Sequence, residues 1–366
     1  MKRGTKIAII ILVVIIVVAG GILAYKILLD NHPKEEKKEA AEQEKTELKE
    51  AQIFKGTDRP IAVMIDNHSD AWPQAGLNDA YIVYEIIVEG GETRLMPIFK
   101  GQDLEKIGPV RSSRHYFLDY ALENNAIYVH YGWSPQAETD ITKLNVNNIN
   151  GITESSTDFW RVKDKKAPHN VATATNKIIE IAKNKKYNTT SNSKSVLKYT
   201  ADEFDLVEKF EKHSIDTTQN TTNSTALDDN ANTVIGANVV TIPHSKSHTV
   251  KYEYSPETKR YIRYARGKVQ TDWTTKEDVT TKNIIIEFID NVELNDGENK
   301  DRQDLKNIGT FDGYYITNGK AIKIKCTKSS RTEKTVYKDL SGNEIEINDG
   351  NTWVNICPKD ADVEFE

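Results

Sequence analysis

The sequence predicts an α/β domain followed by a β-rich domain, both preceded by an N-terminal transmembrane helix and a charged stalk. Three observations support this fold class. Apolar runs alternate with helical patterns over residues 58–207, as in an α/β layer. Short alternating runs separated by turn sequences fill residues 234–366, as in β-hairpins. A long apolar run lies ahead of both regions, close to the N-terminus.

That N-terminal run predicts a membrane anchor. Three basic residues precede an apolar stretch from Ile7 to Leu29, which is interrupted at Lys26. At ~1.5 Å per residue, a helix of this length matches the ~30 Å hydrocarbon core of a bilayer. The basic residues predict that residues 1–6 are cytoplasmic and that the bulk of the chain is extracytoplasmic. A cleavable signal peptide is the alternative, because Ala19 to Gly21 are small, but the apolar core exceeds the usual ~7–15 residues.

The next segment predicts a stalk. Residues 30–57 consist mostly of strong helix formers and are rich in Glu and Lys. Favourable charge pairs three residues apart occur beside like charges four residues apart, and almost no apolar stripe is present. We therefore expect a solvated segment, helical or disordered, between the membrane and the folded domains.

Composition restricts the class of protein and the role of its cysteines. The formal net charge is −6 and the pI is about 5.9. Nucleic-acid-binding proteins usually carry a strongly basic face, so no nucleic-acid partner is predicted. Cys326 and Cys357 both lie late in the chain. They predict either one disulfide or two small core residues on neighbouring strands, and the sequence leaves both open.

The first predicted domain, residues 58–207, mixes strands and helices. Strands are predicted at Ile61–Ile65, Ala80–Val88, Arg94–Lys100 and Ala126–Tyr131. Helices are predicted at Val110–Glu123, from Ser134-Pro135 onward, and at Thr173–Lys183. Residues 208–233 are rich in Asn, Thr and Ser, which indicates a polar linker.

The second predicted domain, residues 234–366, is built from short strands. These are predicted at Asn238–Pro243, Thr249–Tyr254, Tyr261–Tyr264, Asn283–Ile289, Gly313–Ile316, Ala321–Lys325, Val336–Lys338, Glu344–Ile347 and Thr352–Ile356. Turn sequences such as Asn318-Gly319 separate them and require positive φ, so we expect hairpins.

Candidate site residues concentrate in the first domain. Asp66, Asn67 and His68 follow its first strand, and mixed α/β folds usually place their sites at such strand ends. The alternative is that the first two only form a turn and that His68 is simply exposed. The other candidate ligand-binding residues are Glu85, Glu89, Arg94, Arg111, Ser112, Arg114, His130, His169 and Asn170.

Arg111, Ser112 and Arg114 predict an anion site. They are expected to open a helix whose first N–H groups attract anions, while the guanidinium groups bind carboxylate or phosphate. The alternative is that the two arginines form structural ion pairs with Glu85 and Glu89.

The sequence predicts neither a metal nor a cofactor. His68, His130 and His169 could bind a divalent ion together with a carboxylate. Their positions show no ligand spacing such as His-x-x-x-His. No Gly-x-Ser-x-Gly nucleophile motif is present either.

Several motifs together resemble one family. They are Pro60–His68, Val88–Arg94, Lys106–Arg114, Tyr128–His130 and Ala167–Asn170, followed by Tyr314–Gly319 and Gly350–Trp353. These motifs are similar to those of the YerB-like lipoproteins, over roughly Asp58 to Pro358. The resemblance implies a two-domain envelope protein of Gram-positive bacteria without an assigned activity. This chain departs from the lipoprotein pattern because no cysteine lies close to its apolar segment, where the lipid would be attached.

Two functional hypotheses follow. The first is a membrane-tethered, extracytoplasmic binding or regulatory protein of the cell envelope that recognises an anionic wall glycan, peptide or protein partner. The second is a hydrolase of cell-wall polymers in which Glu85 or Glu89 and a histidine act as general acid and base.

Overall fold

A computed structural model gives the fold and describes residues 20–27, 50–210, 232–298 and 300–366. The chain divides into two compact units, Met1–Glu50 and Ala51–Glu366. In the first unit, residues 20–27 form helix α1. All further elements belong to the second unit.

Most of the predicted N-terminal architecture lies outside the described residues. This applies to the cytoplasmic residues 1–6, to most of the transmembrane run from Ile7 to Leu29, and to stalk residues 30–49. Within the described parts of the chain, no helix has the length and apolar character needed to cross a membrane. The membrane anchor therefore stays a prediction.

Four short helices are described in the second unit: α2 (Phe117–Glu123), α3 (Pro135–Lys143), α4 (Thr175–Asn184) and α5 (Leu206–Lys209). The start of α3 follows the sequence signal, because the Ser134 side chain accepts a hydrogen bond from the N–H of Ala137 and Pro135 is the first helical residue.

The prediction that a helix begins at Val110 is wrong. Helix α2 begins only at Phe117 and is preceded by a turn at residues 115–116, while Val110 and Ser113 form isolated β-bridges with Ile65 and Trp133. The N–H of Val110 donates to the carbonyl of Val171, and the N–H of Arg111 donates to the carbonyl of Met64. A helix starting at Val110 would leave these first N–H groups unpaired anyway, but it would need the carbonyls of Arg111 and Ser113. Those carbonyls instead accept the N–H groups of Tyr131 and Ser134 from other segments.

Twenty-four strands are described. The first nine are β1 (Ile61–Val63), β2 (Ile65–Asp66), β3 (Ile82–Ile87), β4 (Thr93–Phe99), β5 (Ile127–His130), β6 (Asn148–Asn150), β7 (Trp160–Arg161), β8 (Val171–Ala172) and β9 (Tyr199–Thr200). The others are β10 (Val234–Gly236), β11 (Val239–Pro243), β12 (Thr249–Ser255), β13 (Arg260–Ala265), β14 (Lys268–Val269), β15 (Thr280–Thr281), β16 (Asn283–Ile289), β17 (Asn291–Glu293), β18 (Gln303–Leu305), β19 (Gly309–Thr317), β20 (Lys320–Lys328), β21 (Val336–Lys338), β22 (Ile347–Asn348), β23 (Thr352–Pro358) and β24 (Glu364–Phe365).

A twelve-stranded sheet dominates the second unit. Its order is β10-β20-β19-β16-β23-β3-β4-β1-β5-β6, with β2 on β4 and β21 on β20. A six-stranded sheet has the order β14-β13-β12-β11-β24, with β15 on β13. Strands β17 and β18, β9 and β22, and β7 and β8 form two-stranded pairs.

The large sheet joins the two predicted domains. Strand β23 runs parallel to both of its neighbours, and Val354 lies opposite Ile285 of β16 on one side and Tyr84 of β3 on the other. The mixed α/β character of the first half and the β-rich character of the second half are confirmed. The boundaries at 58–207, 208–233 and 234–366 stay predictions, and the strands on either side of them form one continuous sheet.

The two faces of the large sheet have different partners. Tyr84 lies in one apolar core with Phe117 and Tyr120 of α2. Its chain neighbour Val83 lies in a second core with Val250 and Tyr252 of the smaller sheet. Successive strand residues point to opposite faces, so β3 contributes to both cores at once.

The structure also tests two sequence predictions, one for a hairpin turn and one for the cysteines. The β19–β20 hairpin turns at Asn318-Gly319, where both residues have positive φ (50° and 73°), as the sequence predicts. Cys326 and Cys357 are buried free thiols, so the disulfide alternative is wrong. They are core residues, but their strands β20 and β23 are separated in the sheet by β19 and β16.

Candidate functional site

A polar cavity of about 600 Å³ lies where β2 and β4 meet the segment before α2. Antiparallel pairing places Asp66 of β2 opposite Arg94 of β4, which brings a carboxylate and a guanidinium to the same edge. The cavity is lined by Asp66, His68, Val88, Glu89, Gly90, Glu92, Thr93, Arg94, Arg111, Arg114, His169, Lys300, Asp301 and Arg302.

Asp66 organises one wall of this cavity. Its Oδ2 accepts a hydrogen bond from Nδ1 of His169 at 2.7 Å and forms an ion pair with Nε of Arg111 at 3.0 Å. Its Oδ1 accepts the N–H of His68 at 3.1 Å. The carboxylate is almost fully buried, so these three contacts fix its orientation. The rings of His68 and His169 stack in turn, with centroids 4.5 Å apart and an interplanar angle of 16°.

The cavity lining also contains two arginines that share one carboxylate. Arg114 binds Glu89 in a bidentate manner, with Nη2 to Oε2 at 2.9 Å. Arg94 lies 3.9 Å from the same Oε2 and donates to the carbonyl of Ser112 at 2.5 Å. Burial and the nearby Arg114 lower the pKa of Arg94 to about 9, so Arg94 remains charged at neutral pH. Burial alone would raise the pKa of Glu89, but Arg114 and Arg94 outweigh burial and lower it.

Seven of the twelve predicted site residues line the cavity, namely Asp66, His68, Glu89, Arg94, Arg111, Arg114 and His169. Ser112 contributes its carbonyl to Arg94, while its hydroxyl donates to the carbonyl of Tyr131. The anion site was predicted at a helix N-terminus, and this part of the prediction is wrong because Arg111 and Arg114 precede α2.

Asn67 and Glu85 lie behind the cavity wall in the core. The Asn67 Nδ2 group donates to Glu85 and to Thr93, and Glu85 also contacts Nη2 of Arg263 at 2.6 Å and Nε2 of His248 at 2.9 Å. Glu85 has no exposed surface. Its prediction as a cavity residue and as an acid or base is therefore not matched by its position.

His130 and Asn170 are also outside the cavity lining. His130 is buried, with Nδ1 2.8 Å from the carbonyl of Gly132 and Nε2 facing Asn148. Burial lowers the pKa of His130 to about 4, so the ring is neutral at pH 7. Asn170 accepts from Arg161 at 2.6 Å and holds the local loop. We assign both residues to structural positions.

The sequence analysis missed two groups of residues from the second half of the chain. Lys300, Asp301 and Arg302 line the cavity from a polar stretch without a motif. Arg263 and His248 bind Glu85 in the core. Arg263 did carry a signal, because it occupies a buried position in the alternating strand β13. A charged residue on the buried face of a strand indicates a buried ion pair.

The site residues also include donors suited to a metal. His68, Asp70 and His169 each offer one ligand atom, and these atoms lie within 4.8 Å of one another. Imidazole nitrogen and carboxylate oxygen are common ligands of zinc and similar ions. The cavity lining therefore contains guanidinium groups that can bind an anion, and two of its histidines form, with Asp70, a cluster that could hold a cation.

The comparisons with known proteins cover most of the chain. Residues 46–188 match the model described as "Protein of unknown function (DUF3048) N-terminal domain", and residues 240–354 match the corresponding C-terminal domain. The chain is 30% identical over 309 residues to the Bacillus subtilis (strain 168) protein named "Putative lipoprotein YerB", with 82% of this chain and 81% of that protein covered.

A solved structure agrees with this result. The crystal structure of the YerB protein from Bacillus subtilis superposes with a TM-score of 0.69 and 27% identity, and the match covers 86% of this chain and 96% of that one. Both halves of the sequence and the fold thus point to the same relatives. The chain belongs to the DUF3048 family of unknown function, the family of YerB-like proteins.

Proposed function

We propose that this chain is an extracytoplasmic binding protein of the cell envelope that recognises an anionic group in the cavity between Asp66 and Arg114. The ligand class is a carboxylate or phosphate of a wall glycan, a peptide or a partner protein. The observation that carries the proposal is the shortage of negative charge around Arg94.

The cavity lining carries five cationic side chains and four carboxylates, because Lys300 and Arg302 add to the three arginines, and Glu92 and Asp301 add to Asp66 and Glu89. Asp66 pairs with Arg111 at 3.0 Å, and Glu89 is taken by Arg114. Arg94 is left with a distant carboxylate at 3.9 Å. An incoming anion would neutralise this side chain in a partly desolvated site, where charge-assisted hydrogen bonds are strong.

We also propose that the apolar run from Ile7 to Leu29 tethers the protein to the membrane. Its length and the preceding basic residues support this, and the name of the YerB relative fits a location at the membrane surface. Extraction of cell membranes with alkaline carbonate should leave the full chain in the pellet and release a chain that starts at Ala51. Release of both forms would contradict the tether.

Binding is tested with the full chain in detergent against a carboxylate-bearing muropeptide and a glycerol-phosphate polymer. A hydrogen bond between charged groups contributes about 1.5–3 kcal/mol, so Arg94→Gln should weaken binding about 10- to 100-fold. Arg114→Gln should weaken it as well, because it also frees Glu89 to compete with the anion. Added chelator keeps metal ions out of this measurement.

Arg59→Gln is the matched control. Arg59 is also partly buried and hydrogen-bonded, to Asn125 and Asn147, but it lies outside the cavity lining. Its loss should leave affinity unchanged. The proposal fails if the wild-type chain binds neither probe, or if Arg94→Gln and Arg59→Gln bind equally well.

One observation favours a hydrolytic reaction as the second candidate. Asp66 holds Nδ1 of His169, which leaves Nε2 as an unprotonated acceptor in the neutral ring and a candidate general base. Glu85 is unsuited to that role because buried donors surround it. Release of soluble fragments from purified cell wall by the wild type, and its loss in His169→Gln, would support hydrolysis. Equal inactivity of both would discard it.

A further inference from the structure

We propose that His68, Asp70 and His169 form a binding site for a divalent transition-metal ion such as Zn²⁺ at the rim of the cavity. The three side chains bring two imidazoles and one carboxylate together, with their ligand atoms within 4.8 Å. This inference does not depend on anion binding by the arginines.

The strongest support comes from how His169 is held. Its Nδ1 lies 2.7 Å from Oδ2 of Asp66, so the neutral ring donates to the carboxylate through Nδ1 and keeps its lone pair on Nε2. A carboxylate that orients a histidine in this way is the usual outer partner of a metal ligand. Asp66 is itself fixed by Arg111, and this pair compensates the guanidinium charge beside the site.

His68 and Asp70 supply the other two ligands from one short turn. The turn Ser69–Ala71 follows His68 directly, and the two side chains already approach, with Nδ1 and Oδ2 3.8 Å apart. The N–H of Asp70 donates to Nδ1 of His68 at 3.2 Å, which shows that this nitrogen carries a lone pair. Metal binding through Nδ1 would replace that one hydrogen bond and would require the stacked rings of His68 and His169 to turn so that their lone pairs converge on the ion.

The number and exposure of the three ligands fit an open metal site, as in catalytic zinc centres, rather than a closed structural site. Three protein ligands leave a fourth position of a tetrahedral ion for water or for an anionic ligand. The Asp70 side chain is 64% exposed and the His68 side chain is 39% exposed, so the ion could enter from solvent. Two of the three ligands, His68 and His169, line the cavity together with Arg111.

The site is tested by titrating the chelator-treated full chain in detergent with ZnCl₂ alone, using calorimetry. We expect one equivalent of Zn²⁺ per chain. Asp66→Asn should weaken binding about 10- to 100-fold, the usual effect of losing an outer partner. His169→Ala should remove measurable binding. Asp70→Asn should also weaken binding, and because the Asp70 side chain is 64% exposed, its replacement leaves the packing of the core intact.

His115→Ala is the matched control, because His115 has the same side-chain exposure as His169 (14%) and also pairs with a carboxylate, that of Asp304 at 2.9 Å. It should bind Zn²⁺ like the wild type. The inference is overturned if the wild type binds no Zn²⁺, or if His169→Ala and Asp70→Asn bind as tightly as His115→Ala. Because anion binding is measured with chelator present, either proposal can fail while the other stands.

Discussion

Replacement of Glu85 by glutamine should destabilise the fold rather than remove a catalytic group. Glu85 has no exposed surface, and its carboxylate receives Nη2 of Arg263 at 2.6 Å and Oγ1 of Thr93 at 2.8 Å. Glutamine is neutral and would leave the buried Arg263 guanidinium without its counter-charge. Removing one member of a buried ion pair costs about 3–5 kcal/mol.

The free energy of unfolding is measured by urea titration with tryptophan fluorescence, since Arg263 lies over the buried ring of Trp353, 4.4 Å from its centroid. Glu253→Gln is the control. Glu253 is also a strand glutamate in an ion pair, with Lys251, but its side chain is 38% exposed. Its replacement should cost no more than about 1 kcal/mol. Similar losses for Glu85→Gln and Glu253→Gln would refute the reasoning.

Two further measurements sharpen this prediction. Adding Arg263→Met to Glu85→Gln should restore part of the lost stability, because the unpaired charge is removed. Burial alone would raise the pKa of Glu85, but Arg263, His244 and His248 outweigh burial and hold it well below 4.5. The stabilisation by Glu85 is therefore complete above that pH and lost as the pH falls below it, so the difference from the wild type should shrink in acid.

Two other predictions concern buried groups with shifted pKa values. Burial raises the pKa of Glu287 to about 7, so ionisation of this group opposes folding as the pH rises from 4.5. Glu287→Gln should therefore increase the free energy of unfolding at pH 8 and change it little at pH 4. A gain of equal size at both pH values would contradict this. Burial lowers the pKa of His130 to about 4, so the folded protein resists protonation of this ring. As the pH falls from 6.5 to 4, His130 should lower the free energy of unfolding of the wild type by up to about 1.4 kcal/mol per pH unit. His130→Asn should reduce this pH dependence of stability, measured by thermal unfolding, and leave anion binding intact. An unchanged pH dependence would contradict the prediction.

Local sequence signals predicted much of the secondary structure. The alternating run at Asn283–Ile289 became β16 with the same bounds, and Asn318-Gly319 turned the β19–β20 hairpin. Such features depend on side-chain period and on the φ that a residue tolerates, both of which are encoded locally. The helix predicted from Val110 failed because strand-like bonds from neighbouring segments occupied its backbone.

Local signals also predicted part of the candidate site. Asp66, Arg94 and Arg114 were identified because they are charged residues at or near the ends of predicted strands and helices, where functional residues are common. Glu85 was misassigned because the sequence could not indicate that Arg263, 178 residues later, would reach it. Lys300 and Arg302 were missed because no local pattern connects them with the first domain.

The positions of most strands and turns, and the polar residues between them, follow from local sequence. Three features depend on long-range contacts: β23 lies between β16 and β3, Glu85 is a core residue, and His68, Asp70 and His169 meet at one rim. Local sequence misses these contacts because strand alternation specifies which face a side chain occupies but not which strand lies beside it. Long-range pairing then decides which charges are buried together and which remain available to a ligand.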